Sequence, residues 1–78
     1  MILTEYVRDQ HGHKRGMVVA ADRGLIGWSK CHKTDEFDRD LAYRIAIGRA
    51  INGSKSKIPS DVVYYVTKME DRANRYFK

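Results

Sequence analysis

The chain has 78 residues, 42% of them hydrophobic and 32% charged, with a formal net charge of +5. That composition excludes a disordered or membrane-embedded chain, and the short length leaves a thin core, worth about 3–5 kcal/mol, with little room for a deep substrate cavity. A single cysteine excludes an internal disulfide and fits a reducing, cytosolic compartment, and Met1-Ile2-Leu3 before Thr4 is too short for the apolar core of a signal peptide.

Ile2 to Val7 alternates weakly and is rich in Thr, Tyr and Val, which predicts a strand. Arg8 to Gly16 is polar, with Gly12 and Gly16 as turn formers. Met17-Val18-Val19-Ala20-Ala21 is the clearest strand in the chain. Asp22-Arg23-Gly24 reads as a tight hairpin with glycine placed for positive φ, and Leu25 to Cys31 returns as its partner strand. Thr34 or Asp35 then reads as a helix N-cap, with Asp35, Glu36 and Asp38 in the first turn, where the helix dipole favours anions. Phe37, Leu41, Ile45 and Gly48 recur at helical spacing, beside a second stripe of Ala42, Ala46 and Ala50. Asn52-Gly53 stops that helix, Ser54 to Pro59 is the flexible stretch, and Ser60-Asp61 opens a second helix. Val62, Val66, Met69, Ala73 and Tyr76 mark its buried face. Arg49-Ala50 and Arg72-Ala73 echo one another late in the two helices, too little for a repeat. The expected architecture is one α+β domain over residues 1–78: a three-stranded antiparallel meander followed by two helices on one sheet face, βββαα.

The reactive side chains cluster in 27–40, yet their spacing does not build a site. Cys31 and His32 are sequence neighbours, which point apart on a strand, and His11 and His13 are separated by a single residue. Neither spacing matches a zinc site, and no third group orients a Cys–His nucleophile pair, so no metal, cofactor or catalytic residue is assigned. Asp35–Arg39 and Asp40–Arg44 are i,i+4 pairs with the acid first, as in a self-neutralised helix face. Trp28 anchors the core if it and Ile26 face the helices, and its indole N–H then needs an acceptor; facing outward it would be a binding hot spot. Gly27 fits a bulge or a close approach of helix to sheet.

The charge is uneven. Residues 1–34 and 52–78 each carry six basic and three acidic groups, while 35–51 carry three and four. Lys68, Arg72 and Arg75 fall at i, i+4 and i+7 on the second helix, and Lys55 and Lys57 lie on the loop leading into it. Tyr64, Tyr65, Tyr76 and Phe77 add aromatic surface, and cations interleaved with aromatics suit a phosphate backbone and exposed bases. Cations in the last turns also satisfy the helix C-terminus, and Asp71–Arg75 is another internal pair, so a purely structural role competes.

Val18-Val19-Ala20, Ile26-Gly27-Trp28-Ser29-Lys30-Cys31, Asp35-x-Phe37-Asp38 and Ile45-Ala46-Ile47-Gly48-Arg49-Ala50 together resemble a pattern in small uncharacterised proteins of tailed bacteriophages: VVVA, then xGWSxC, DxFD and IAxGRA. The resemblance covers residues 17 to 50 and continues loosely into Ile58-Pro59 and Arg72-Ala73-x-x-Tyr76-Phe77. It implies a non-enzymatic accessory protein acting in the cytoplasm of a bacterial host, and it carries over no catalytic residue. The favoured reading is a module that binds nucleic acid or a nucleoprotein through Lys55, Lys57, Lys68, Arg72 and Arg75, with no membrane partner. The alternatives are a protein–protein inhibitor or adaptor of a host enzyme or defence complex, and a homo-oligomeric structural component whose thin core is completed in a homodimer.

Overall fold

Met17-Val18-Val19-Ala20 forms the centre of the molecule, each residue 0 or 1% exposed. In the computed structural model, which describes residues 2–32, 35–52 and 57–77, this run lies in the middle strand of a three-stranded antiparallel sheet. The strands are β1 (Leu3–Arg8), β2 (Lys14–Asp22) and β3 (Leu25–Lys30), in that order across the sheet. Two helices follow, α1 (Arg39–Asn52) and α2 (Ser60–Tyr76). The βββαα order and the α+β class are therefore as the sequence predicts. Arg23-Gly24 makes the β2–β3 turn, Gly24 at φ 73°, with the Arg23 amide donating to Asp22 Oδ1 at 2.7 Å.

The helices do not share one sheet face, and this corrects the expectation. Val18 and Ala20 face α2, together with Leu3 and Val7 of β1 and Ile26 and Trp28 of β3, and they meet Val62, Val66, Met69 and Ala73. Met17 and Val19 face the other way and pack on Ala42, Ala46 and Ala50 of α1. Alternate residues of a strand point to opposite faces, so four consecutive buried apolar residues require cover on both. The molecule is a helix–sheet–helix sandwich.

Helix α1 starts later than expected and buries the other stripe. Its N-cap is Asp38, whose Oδ1 accepts the Leu41 amide at 3.1 Å; Asp35 lies ahead of the helix, and Thr34 is outside the described residues. The Asp35–Arg39 helix pair therefore does not form. Arg39 instead reaches Asp40 at 3.5 Å and donates from Nε to Tyr6 Oη at 3.2 Å. Asp40–Arg44 and Asp71–Arg75 are not among the ion pairs of the described residues. The buried stripe is Ala42, Ala46 and Ala50, whereas Leu41 is 53% and Ile45 39% exposed. Alanines win because α1 lies against β3 at Gly27: a Cβ there would overlap the Ala46 carbonyl oxygen and the Ala50 amide nitrogen. On α2 the expected face holds except at Tyr76, which is exposed; Phe77, just past the helix end, packs on that core instead.

The two Arg-Ala dipeptides do the same work on opposite faces. Ala50 and Ala73 are buried against the sheet. Arg49 donates from Nη1 to the carbonyl of Trp28 on edge strand β3 at 2.8 Å, and Arg72 donates from Nη1 to the carbonyl of Thr4 on edge strand β1 at 3.3 Å. Each edge thus has a carbonyl covered by an arginine, which blunts it against pairing with another chain. Arg49 also stacks on the Trp28 ring, 4.1 Å from its centroid. Trp28 is half-buried, and its indole Nε1 is buried with no hydrogen-bond partner among the described residues. Arg49→Ala is expected to lower unfolding free energy by about 1–2 kcal/mol through loss of the stack and the hydrogen bond, read in urea melts with a red-shifted Trp28 emission. Arg49→Lys should recover little of it, because an ammonium lacks the planar fork.

Lys30, at the end of β3, ties the sheet to the first turn of α2 through Asp61, with Nζ 2.6 Å from Oδ2. The Lys30 hydrogen bond outweighs desolvation and holds the Asp61 carboxyl below its ordinary pKa. A depressed folded-state pKa means stability that is complete above the unfolded value and is lost as pH falls through the folded one. Urea midpoints should therefore fall between about pH 5 and pH 2, and Asp61→Asn should flatten part of that fall.

Candidate nucleic-acid interface

The basic stripe expected on α2 divides in the structure. Arg72 is half-buried and committed to the sheet, its Nη1 2.9 Å from Glu5 Oε2 as well as near the Thr4 carbonyl. Lys68 and Arg75 stay exposed on the same side of the helix, and Lys57 is exposed ahead of it. Among the described residues, Lys57 and Arg75 form no ion pair, hydrogen bond or ring contact. Lys55 lies outside the described residues.

From Lys68 a ladder of cations and tyrosines runs around the β1 edge of the molecule. Lys68 Nζ lies 5.2 Å from the centroid of Tyr64, which is 62% exposed. Tyr64 meets Tyr65 edge to face at 5.3 Å, the contact of successive residues on a helix surface. The Tyr65 hydroxyl accepts the Arg8 amide at 3.3 Å, which fixes the end of β1 to α2. The Arg8 guanidinium then lies 5.8 Å from the Tyr6 ring centroid, and Lys14 Nζ, from β2, lies 4.2 Å from the same ring. Tyr6 is held in place by Phe37, edge to face at 5.9 Å, and by the Arg39 bond to its hydroxyl.

One pairing in this ladder works against folding. Arg8 and Lys14 are directly opposite partners across β1 and β2, where the register shifts at a bulge between Val7 and Arg8. Like charges directly opposite one another destabilise a sheet. The acid nearest in sequence does not relieve them. Asp9 turns Oδ1 into the 9–13 loop, where it accepts the amides of His11 and His13 at 2.9 and 3.0 Å. Desolvation pushes the Asp9 pKa up, but those amides and the two imidazoles outweigh it and hold the carboxyl below its usual range. Among the described residues, Lys14 meets negative potential at the face of Tyr6.

No protein-family model, curated protein or solved structure matches the chain. Among the described residues, no group of three His, Cys, Asp or Glu is arranged to hold a metal ion. Cys31 is half-buried at the join between β3 and α1, in a groove of about 480 Å³ that also takes in Ser29, Phe37, Leu41 and Ile45. Of the residues in this ladder, the sequence singles out Lys68, Tyr64 and Tyr65 and does not single out Tyr6, Arg8 and Lys14. Tyr6 and Arg8 alternate on one strand, so they share a face, but nothing in the sequence announces the bulged register that sets Lys14 opposite Arg8.

Proposed function

We propose that this chain is a small non-enzymatic accessory protein, of the kind carried by tailed phages, that binds single-stranded nucleic acid or its nucleoprotein through the β1-edge ladder. The observation that carries the reading is the opposed Arg8–Lys14 pair beside a tyrosine row in which Tyr64 is exposed and Tyr6 half-exposed. A folded domain with a thin core keeps two cations face to face at a cost, and a polyanion laid along the edge would repay it. The +5 net charge adds a long-range attraction for phosphate. Exposed Tyr64 and half-exposed Tyr6 provide ring faces of the kind on which unpaired bases stack, and duplex DNA hides those base faces. Lys68 and Arg75 extend the cationic track along α2, with Lys57 ahead of the helix, while Arg72 holds α2 against β1 beneath it.

The test is a fluorescence-anisotropy titration of labelled single-stranded DNA and RNA oligonucleotides at several salt concentrations. Binding whose log affinity falls linearly with log salt, and which exceeds that for the matched duplex, supports the reading. Absence of binding to every strand at low salt overturns it.

A further inference from the structure

We infer that the outer side of α1 is a homodimer interface, in which α1 packs antiparallel against α1 of a second copy about a two-fold axis. Helix α1 is apolar on more of its circumference than the sheet can cover. Its alanine stripe is buried on the sheet, yet Leu41, Ile45 and Ile51 remain 53, 39 and 64% exposed. Three large apolar side chains left outside on one helix, flanked by the exposed Arg44, make a second stripe that the sheet does not reach; α2, whose exposed side is mostly polar, has no such second stripe.

Gly48 is the second observation. It falls on the stripe of Leu41 and Ile45, and a Cβ built on it would meet nothing within 4 Å. Its φ is not positive. Among the described residues no contact requires glycine there, although glycine inside a helix costs about 1 kcal/mol relative to alanine. It leaves a notch seven residues from Leu41, about 10 Å along the axis. A two-fold interface demands that knob and notch lie on the same stripe, so that each Leu41 can fill the partner's Gly48.

Charge selects a second copy as the occupant, and the antiparallel sense. Asp35, Glu36, Asp38 and Asp40 gather at the N-terminal end of α1, and of these only Asp40 has a cation partner among the described residues. Past the C-terminal end comes Lys57, exposed and, among the described residues, unpaired. An antiparallel pair sets each acidic end against the partner's basic end and opposes the helix dipoles. The groove beside Leu41 and Ile45, lined by Cys31 and Phe37, adjoins the interface.

Sedimentation velocity on nuclease-treated protein, from low to high micromolar concentration, tests this without any nucleic acid present. The expected result is a concentration-dependent dimer. Gly48→Met, whose Cβ would meet nothing within 4 Å among the described residues, and Leu41→Gln, at an exposed position, should each weaken it about tenfold or more while circular dichroism stays that of the wild type. A monomer throughout that range, or a dimer indifferent to both folded variants, overturns the inference.

Discussion

Gly27→Ala is expected to remove about 3 kcal/mol of stability, most of the margin of a domain this small. The new methyl group would occupy the position of the Ala46 carbonyl oxygen and the Ala50 amide nitrogen. Both belong to the helix backbone, so no side-chain rotation can relieve the overlap. Helix α1 would have to lift away as a body, pulling Ala42, Ala46 and Ala50 off Met17 and Val19 and opening that half of the core. Gly48→Ala in the same helix is the control. It meets nothing within 4 Å and should leave the single chain slightly more stable, by up to about 1 kcal/mol. Thermal and urea melts followed by circular dichroism distinguish the two; similar behaviour of both glycines would refute the close approach.

Binding and stability should move in opposite directions at Lys14. Removing one of two opposed cations relieves the sheet, so Lys14→Thr is expected to raise stability by about 0.2–1 kcal/mol. The same change should weaken single-strand binding. With Arg8, Lys14 and Lys68 all changed to alanine, the slope of log affinity against log salt should shrink by about 2, since each phosphate contact on a single strand contributes about 0.7. Tyr64→Ala should act differently, costing about 1–3 kcal/mol, roughly fivefold to 150-fold in affinity, with little change in slope. A variant set in which stability and affinity fall together at Lys14 would mean that the cation is there for packing.

Much of the fold was legible. The hairpin at Gly24, the three strands and the inner face of α2 follow from turn chemistry and apolar spacing. The placement of the helices was legible too, in a signal that is easily misread. Met17 to Ala20 is a run without alternation, and a strand that does not alternate is covered on both faces. Taken merely as a strong strand, the run is compatible with both helices on one side. The echo of Arg49-Ala50 in Arg72-Ala73 also had structural content, because each alanine seats a helix and each arginine reaches over the nearer edge. Two dipeptides cannot reveal that without the sheet between them.

The start of α1 was ambiguous for a local reason. Asp35 and Asp38 can both cap a helix, and both begin runs with helical spacing; packing of Phe37 against Tyr6 and of Ala42 under β2 decides for Asp38. The inner stripe was misleading because larger apolar residues usually win the core. Here a glycine in β3 brings the helix too close for leucine. The candidate site was the least legible part. Its members come from β1, β2 and α2, separated by up to 62 positions between Tyr6 and Lys68, and only the three-dimensional register joins them.

The central claim is that nucleic acid lies along the β1 edge, and amide chemical-shift mapping tests it most directly. Titrating isotope-labelled protein with a short single-stranded oligonucleotide should shift the amides of residues 4–8, 13–15 and 64–68, leaving β3 and α1 unmoved. Shifts centred on α1 and the groove at Cys31, or none at saturating oligonucleotide, would contradict the account.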